Sequence, residues 1–359
     1  MTDQNSSSGQ DPDKITPGKS GLNAAPTHVS SIMTLADRYG GVICRMSNKF
    51  RMKYIVTPGL FALGDPDQDS PVLVTGNYRL SLNVLRSSLA NRSAWILVID
   101  TKGINVWCAA GKGTFCTNEI VKQISACNLG SKVSHRTLIL PQLGASGVSA
   151  PKLQKASGFK VKFGPVRASY IPEYLDNNNI ASPAMRRVHF SFIDRAKLVP
   201  MEAIPALKKL ALFLIIAAVL FGITRTSIIY KQAITGVKPL ILAGLTAIFT
   251  GSILPPLLLP FIPGRAFSLK GFVTGLIGAI AIIFIVPVFR SSFFLSAFCL
   301  VSVPAFSSYQ AFLFTGSSTY TSPSGVKTEL KIAWPLYLAS AAISTVLLIL
   351  VLIRFWGIL

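Results

Sequence analysis

The sequence predicts an α/β domain followed by an all-α domain of five membrane-spanning helices. Three observations carry that division. Hydrophobic residues fill 50% of the 359 positions and charged residues only 14%, with a mean hydropathy of +0.52, whereas a soluble domain is usually about one quarter charged. The charge is unevenly placed: residues 1–209 hold 26 Lys+Arg and 13 Asp+Glu, and residues 210–359 hold 9 and 1. Strand-like and helix-like patterns alternate between residues 70 and 170, and long apolar runs follow. The basic part reads as soluble, the apolar part as lipid-immersed.

Residues 1–30 are polar, rich in Pro, Gly and Ser, and lack an apolar core. They are expected to be a disordered leader on the cytoplasmic side, without a signal peptide. The expected domains are then 31–200, soluble, and 201–359, transmembrane. Cys44, Cys108, Cys116, Cys127 and Cys299 are unevenly spaced and form no CxxC pair. That pattern speaks against a disulfide framework and against a zinc or iron–sulfur site held by this chain.

In the soluble part, PVLVTGNY (71–78) reads as a buried strand, and Leu80, Val84, Leu85 and Leu89 then recur at helical spacing. AWILVID (94–100) is a second strand, 117–128 a second helix, and SHRTLILP (134–141) and GFKVKFGPVR (158–167) two further strands. Such alternation predicts a mostly parallel, Rossmann-like sheet. Ligands of these sheets bind outside the carboxyl ends of the strands. Thr75-Gly76-Asn77-Tyr78, Asp100 to Gly103, Pro141 to Ala145 and Gly164 to Arg167 fall at those ends. Ordinary turns use the same residues; four together suggest a large planar or nucleotide-bearing ligand. No G-x-G-x-x-G follows a strand and no Walker A sequence occurs, which disfavours NAD and ATP. Asp100 fits a ligand contact and a turn cap equally well.

Apolar runs near 210–224, 239–263, 270–289, 293–314 and 333–353 approach the roughly 20 residues that cross a hydrocarbon core. The first reaches that length by starting at Pro205 and letting Lys208 and Lys209 snorkel. Pro255, Pro256, Pro260 and Pro263 predict a kinked or early-ending second helix. With the soluble part inside, eight basic residues flank the inner ends (Arg195, Lys197, Lys208, Lys209, Arg265, Lys270, Lys327, Lys331) and five the outer (Arg225, Lys231, Lys238, Arg290, Arg354). That bias predicts a multi-pass protein of the cytoplasmic membrane with its soluble domain in the cytoplasm. No Asp, Glu, His or Arg lies mid-span, which lowers a transporter reading.

Residues 105–112 read Asn-Val-Trp-Cys-Ala-Ala-Gly-Lys. Asn105 suits an N-cap, Val106 to Ala110 a short helix, and Gly111 with Gly113 its end. Cys108 then lies in the first turn, where free N–H groups and the dipole favour a thiolate. Ala109, Ala110 and Gly111 leave the helix without bulk, so a flat ligand can approach. A small core cysteine in a tight helix fits the residues as well and is the commoner fate of Cys. Cys116 and Cys127 are weaker candidates for handling a metal.

The segment NVWCAAGK resembles the cap helix of the HgcA family, the corrinoid proteins of mercury-methylating microbes. VTGNYRLSLNVLR, VIDTKGINVWCAAGKGTF, SHRTLILPQLGASGV and FKVKFGPVRA are similar to blocks of the cobalt-binding domain of the corrinoid iron–sulfur protein. The likeness covers about residues 70–200, and the five-span tail resembles the mercury-methylating branch.

The resemblance implies a base-off corrinoid of the cobalamin type, with Cys108 as cobalt's lower ligand and catalytic residue. It further implies that Asn105, Val106, Trp107, Ala109, Ala110, Gly111 and Lys112 form the cap around it. Thr75, Gly76 and Asn77, with Gln142, Leu143, Gly144, Ala145 and Gly147 of the 141–147 loop, are implied as walls for the corrinoid and its nucleotide tail. The implied activity is methyl transfer to Hg(II), since a sulfur ligand pushes the methyl group off as a carbanion equivalent. The iron–sulfur protein's cysteine cluster is missing, so a ferredoxin-like 4Fe–4S partner of the HgcB type is implied as reductant, beside a pterin-dependent methyl donor. Membrane lipid is the other expected partner, and no motif points to nucleic acid. His28, His135 and His189 stand in no D-x-H-x-x-G pattern. Two other classes remain: a corrinoid methyl carrier of the acetyl-CoA pathway without a mercury role, and a membrane sensor that binds a nucleotide.

Overall fold

The computed structural model describes residues 25–223, 229–318 and 320–358. It divides the chain into two compact units, Met1–Val188 and His189–Leu359. The expected leader over 1–24, and Arg225, lie outside the described residues. The leader's last residues do not fit the expectation: Thr27–Val29 form β1 at the edge of the sheet, paired with β2, Gly59–Leu63.

Six strands make one sheet in the order β1-β2-β4-β3-β5-β6, with β3 Val72–Gly76, β4 Ala94–Ile99, β5 Thr137–Leu140 and β6 Lys160–Phe163. The last four run parallel, as the alternating pattern predicted. The sheet as a whole is mixed, because β2 runs antiparallel to β4, Phe61 opposite Ile96. β3 and β4 are buried on both faces, the mark of a sheet covered on each side.

Helices supply the cover. α1 (Leu35–Met46) opens with a capping box of Thr34 and Asp37. α2 (Arg79–Ser88) follows β3, α3 (Val106–Gly111) and α4 (Thr117–Ala126) follow β4, and α5 (Ala150–Ser157) joins β5 to β6. One core gathers Val72, Val74, Leu97, Ile99, Phe115, Ile120 and Leu138; another gathers Leu73, Leu82, Leu85, Ile96, Val98 and Tyr174. The chain leaves β3 for β4 on one side and β5 for β6 on the other. The crevice between the ends of β3 and β5 is therefore the topological switch point, where open α/β sheets hold ligands.

A buried polar link fixes α1 to α2. Arg86 donates to Asp37 at 2.5 Å, Asn83 donates to the same carboxylate at 3.1 Å, and Arg86 also donates to the carbonyl of Ile32 at 2.9 Å. Burial opposes ionisation of Asp37, yet hydrogen bonds from Thr34 and the Arg86 charge outweigh it and hold the carboxyl below its ordinary range.

Among the described residues of the second unit, five helices are long and apolar enough to cross a membrane: Phe192–Gly222, Tyr230–Leu257, Phe267–Ile285, Phe293–Ser317 and Ser324–Phe355. The first starts before Pro205, which lies inside the helix Val199–Gly222. The second passes through a π-turn, Phe249–Ile253, and ends at Leu257, ahead of Pro260. Small residues bring the third and fourth together: a Cβ on Gly271 would come within 2.4 Å of the Ser307 carbonyl oxygen.

Candidate functional site

The cap helix forms as its residues require. The side chain of Asn105 accepts from the Cys108 N–H at 2.9 Å, α3 runs Val106–Gly111, and Gly113 turns the chain away at φ +75°. Val106, Ala109 and Ala110 face the core, whereas Asn105, Trp107, Gly111 and Lys112 are exposed and Cys108 is half-buried. The thiol thus belongs to the accessible side of a helix whose other side is fixed.

The 141–147 loop holds α3 from behind. Its 3-10 turn, Gln142–Gly147, packs so closely that a Cβ on Gly147 would lie 2.1 Å from the Phe115 carbonyl oxygen and 3.1 Å from Ala110 Cα. Gly144 meets the Phe115 ring in the same way. These two glycines let the loop pack closely against Phe115 and the cap helix.

Asn77 ties the end of β3 to the loop that follows β4. Its Oδ1 accepts from Thr101 N at 3.0 Å, Thr101 Oγ1 at 2.9 Å and Gly103 N at 3.0 Å, and its amide donates to Asp100 at 3.2 Å. The buried side chain is spent on tying β3 to the loop that enters α3. Gly76 allows that approach, since a Cβ there would meet Thr101 Oγ1 at 2.6 Å. Asp100 caps its turn: its carboxylate accepts from the Lys102 N–H at 2.9 Å and from Lys102 Nζ at 2.6 Å. Burial works against its charge, but these bonds keep its carboxyl below the ordinary range.

A cavity of about 410 Å³ opens at the switch point. Thr75 from β3, Asn105, Val106 and Trp107 from the cap, and Pro141 and Leu143 after β5 line it. Gly164 to Val166 close it after β6, and Leu80, Ser81, Val84 and Leu85 of α2 form another wall. Of the residues implied by the resemblance, Thr75, Asn105, Val106, Trp107 and Leu143 meet here. Gly76, Asn77, Cys108, Ala109, Ala110, Gly111, Lys112, Gln142, Gly144, Ala145 and Gly147 are not among the lining.

Tyr78 of the first strand-end loop also lines the cavity, and so does Arg45, which the sequence did not single out. Tyr78 Oη and the buried Cys44 Sγ are hydrogen-bonded at 2.8 Å; burial and then this bond push the phenol's pKa well up. The T-x-x-D signature Thr34–Asp37 signals α1 in the sequence; Gly40 and Gly41 mid-helix hide it. Gly40 is there because a Cβ would strike Tyr54 at 2.5 Å.

The other cysteines are placed less openly. Gln123 donates to Cys127 Sγ at 3.3 Å, and burial raises that thiol's pKa, which leaves it little thiolate. Cys116 is half-buried at the start of α4, and Cys299 is fully buried in the second unit.

The implied corrinoid can be tested against this geometry. The cavity lies at the small end of the roughly 300–1,000 Å³ typical of ligand sites, too small for a whole corrinoid but sufficient for a tail. The exposed side of α3 offers a bare platform beside it: a Cβ on Gly111 would meet nothing within 4 Å. Gln142, beside Pro141 and Leu143 of the lining, carries a buried Oε1 without a hydrogen-bond partner among the described residues. The residues fit the group.

Residues 50–175 match the family of the CO dehydrogenase/acetyl-CoA synthase delta subunit. The chain is similar to gamma subunits of the acetyl-CoA decarbonylase/synthase complex. That of Methanopyrus kandleri is 38% identical over 128 residues, which cover 35% of this chain and 27% of that protein. That of Archaeoglobus fulgidus is 33% identical over 125 residues, 34% of this chain and 26% of the relative. That of Methanocaldococcus jannaschii is 32% identical over 130 residues, 36% and 26%. The chain thus spans about a quarter of the length of these curated relatives, and the family match, residues 50–175, lies within the unit that holds the cap helix and the cavity.

Proposed function

We propose that this chain is a membrane-anchored corrinoid protein that takes part in methyl transfer, with Cys108 as cobalt's lower ligand and Hg(II) as methyl acceptor. The observation that carries the reading is the half-buried Cys108 on the accessible side of a rigid cap, beside a cavity at the switch point. When bound, the corrinoid supplies the cobalt–carbon bond from which the methyl group leaves. The chain's own residues do the rest. Asn105 fixes the first turn, Ala109 and Ala110 anchor it in the core, and Gly111 keeps its face flat for the macrocycle. Thr75, Pro141 and Leu143 would hold the nucleotide tail of a corrinoid, and Cys108 would offer its thiol to the cobalt. As a soft donor, a Cys108 thiolate would lend electron density to a methyl-bearing cobalt, the chemistry that would suit a soft electrophilic acceptor.

Unit one then works in the cytoplasm and the five helices hold it at the cytoplasmic membrane. A ferredoxin-like 4Fe–4S protein delivers electrons, and a pterin-dependent system delivers the methyl group. A second reading has a specific observation behind it. The named relatives belong to acetyl-CoA decarbonylase/synthase complexes, which favours the acetyl-CoA pathway as the methyl group's destination over mercury. The NVWCAAGK segment and the five helices favour mercury.

The test is to load the purified full chain with a methylated corrinoid and offer Hg(II) as a thiol complex or an acetyl-CoA synthase in parallel. Methylmercury in the first arm supports the mercury reading. Transfer in the second arm alone would leave the methyl-carrier function and remove mercury from it.

A further inference from the structure

Among the described residues, Arg45 is the one charged side chain that lines the switch-point cavity. Every other lining residue is apolar or a neutral polar group, among them Thr75, Ser81 and Asn105. Arg45 stands half-buried in the last turn of α1 and donates one hydrogen bond, from Nη1 to the Gly41 carbonyl at 2.6 Å. No carboxylate pairs with it among the described residues. The position is fixed at two points, by the Asp37–Arg86 ion pair at the start of α1 and by the Cys44–Tyr78 hydrogen bond next to Arg45. An arginine held by such links at an apolar wall, with most of its donors unspent, is suited to an anion that arrives with the ligand. α1 also lies outside residues 50–175, so the matching family segment does not include this feature.

We infer that Arg45 is an anion-binding residue of the cofactor cleft and takes the phosphodiester of the corrinoid's nucleotide tail. The inference rests on the corrinoid reading proposed above. The periphery of a cobalamin-type macrocycle carries neutral amides, and the phosphodiester is the anionic group of its tail. The cavity's size admits the tail and excludes the macrocycle, which brings the phosphate to the wall that holds Arg45.

The experiment uses the full chain in detergent and compares cobalamin with cobinamide, which has the same macrocycle but lacks the nucleotide and its phosphodiester. Equilibrium dialysis with cobalt quantification gives the affinity of each for the wild type, Arg45→Gln and Arg45→Lys. Arg45→Gln should weaken cobalamin about tenfold, the worth of one charge-assisted contact, and leave cobinamide unchanged; Arg45→Lys should recover part of the loss. Unchanged cobalamin affinity in Arg45→Gln would overturn the inference. So would an equal loss for both corrinoids, which would mark a structural role or a contact to the macrocycle. A wild type that binds neither corrinoid would remove the corrinoid reading itself and this inference with it.

Discussion

Asn105 and Cys108 are joined by a 2.9 Å hydrogen bond, from the cysteine's backbone N–H to the asparagine's side-chain oxygen. The residue proposed to hold cobalt therefore has its backbone position set by the cap three residues before it. Asn105→Ala should destabilise the cap by about 1 kcal/mol, whereas Asn105→Asp or Ser should keep most of it. Amide hydrogen exchange over 106–110 reads the effect directly. Faster exchange in the Ala variant alone, with weaker corrinoid retention, is the expected pattern; identical exchange in all three would contradict it.

Two glycines of the site should respond in opposite ways. Gly147→Ala forces a Cβ into the Phe115 carbonyl and should cost about 1–3 kcal/mol as an overpacked contact. Gly111→Ala meets nothing and should leave the unliganded protein as stable as before. If the macrocycle lies on α3, Gly111→Ala should nevertheless weaken corrinoid binding. Thermal unfolding and corrinoid titration of the two variants separate the effects.

The Asp37–Arg86 link predicts a pH dependence of known sign. The carboxyl of Asp37 is held below its ordinary value of 3.8, so its contribution is complete above that value and is lost as pH falls through the lower, folded one. Asp37→Asn leaves the Arg86 guanidinium buried without its partner and should cost about 3–5 kcal/mol at neutral pH. It should also remove part of the loss of stability seen between neutral pH and pH 3. Chemical denaturation of the wild type and the variant at both pH values checks the sign.

Five spans and the bias of basic flanks predict opposite sides for the two ends of the chain. A reporter that works only outside the cytoplasm should be active when fused after Leu359 and silent when fused before Met1. The reverse result would invert the orientation.

The strands β3 to β6, the cap helix and the five apolar helices were legible because each announces itself locally, by an apolar run, a capping asparagine or sheer length. β1 and β2 were not. Three polar-flanked residues, Thr27–Val29, carry no strand pattern of their own and exist through pairing with β2. GLFAL is a short apolar run whose antiparallel pairing with β4 depends on a distant partner. At the site, sequence placed Thr75 and Leu143 at strand ends and Trp107 on the cap helix, but the three hydrogen bonds from the 101–103 loop to Asn77 are a matter of tertiary geometry that no local pattern announces. Arg45 was hidden for the same reason: its helix reaches the cavity only through the packing of α1 on α2.

Cobalt ligation by Cys108 is the central claim, and one comparison tests it most directly. Methylmercury yield and the visible spectrum of the bound corrinoid are measured together for wild type, Cys108→Ala, Cys108→Ser and Cys108→His at equal corrinoid occupancy. A half-buried thiol that merely fills space would cost on the order of 1–2 kcal/mol when truncated, and Ala and Ser would both be mild. The account predicts instead that Ala shifts the spectrum and brings the yield to background. Ser should hardly rescue, because an alcohol is a poor ligand that stays protonated near neutral pH. His should restore six-coordinate cobalt with an impaired yield, since imidazole donates less than thiolate. An Ala variant with a normal yield and an unchanged spectrum would contradict the account.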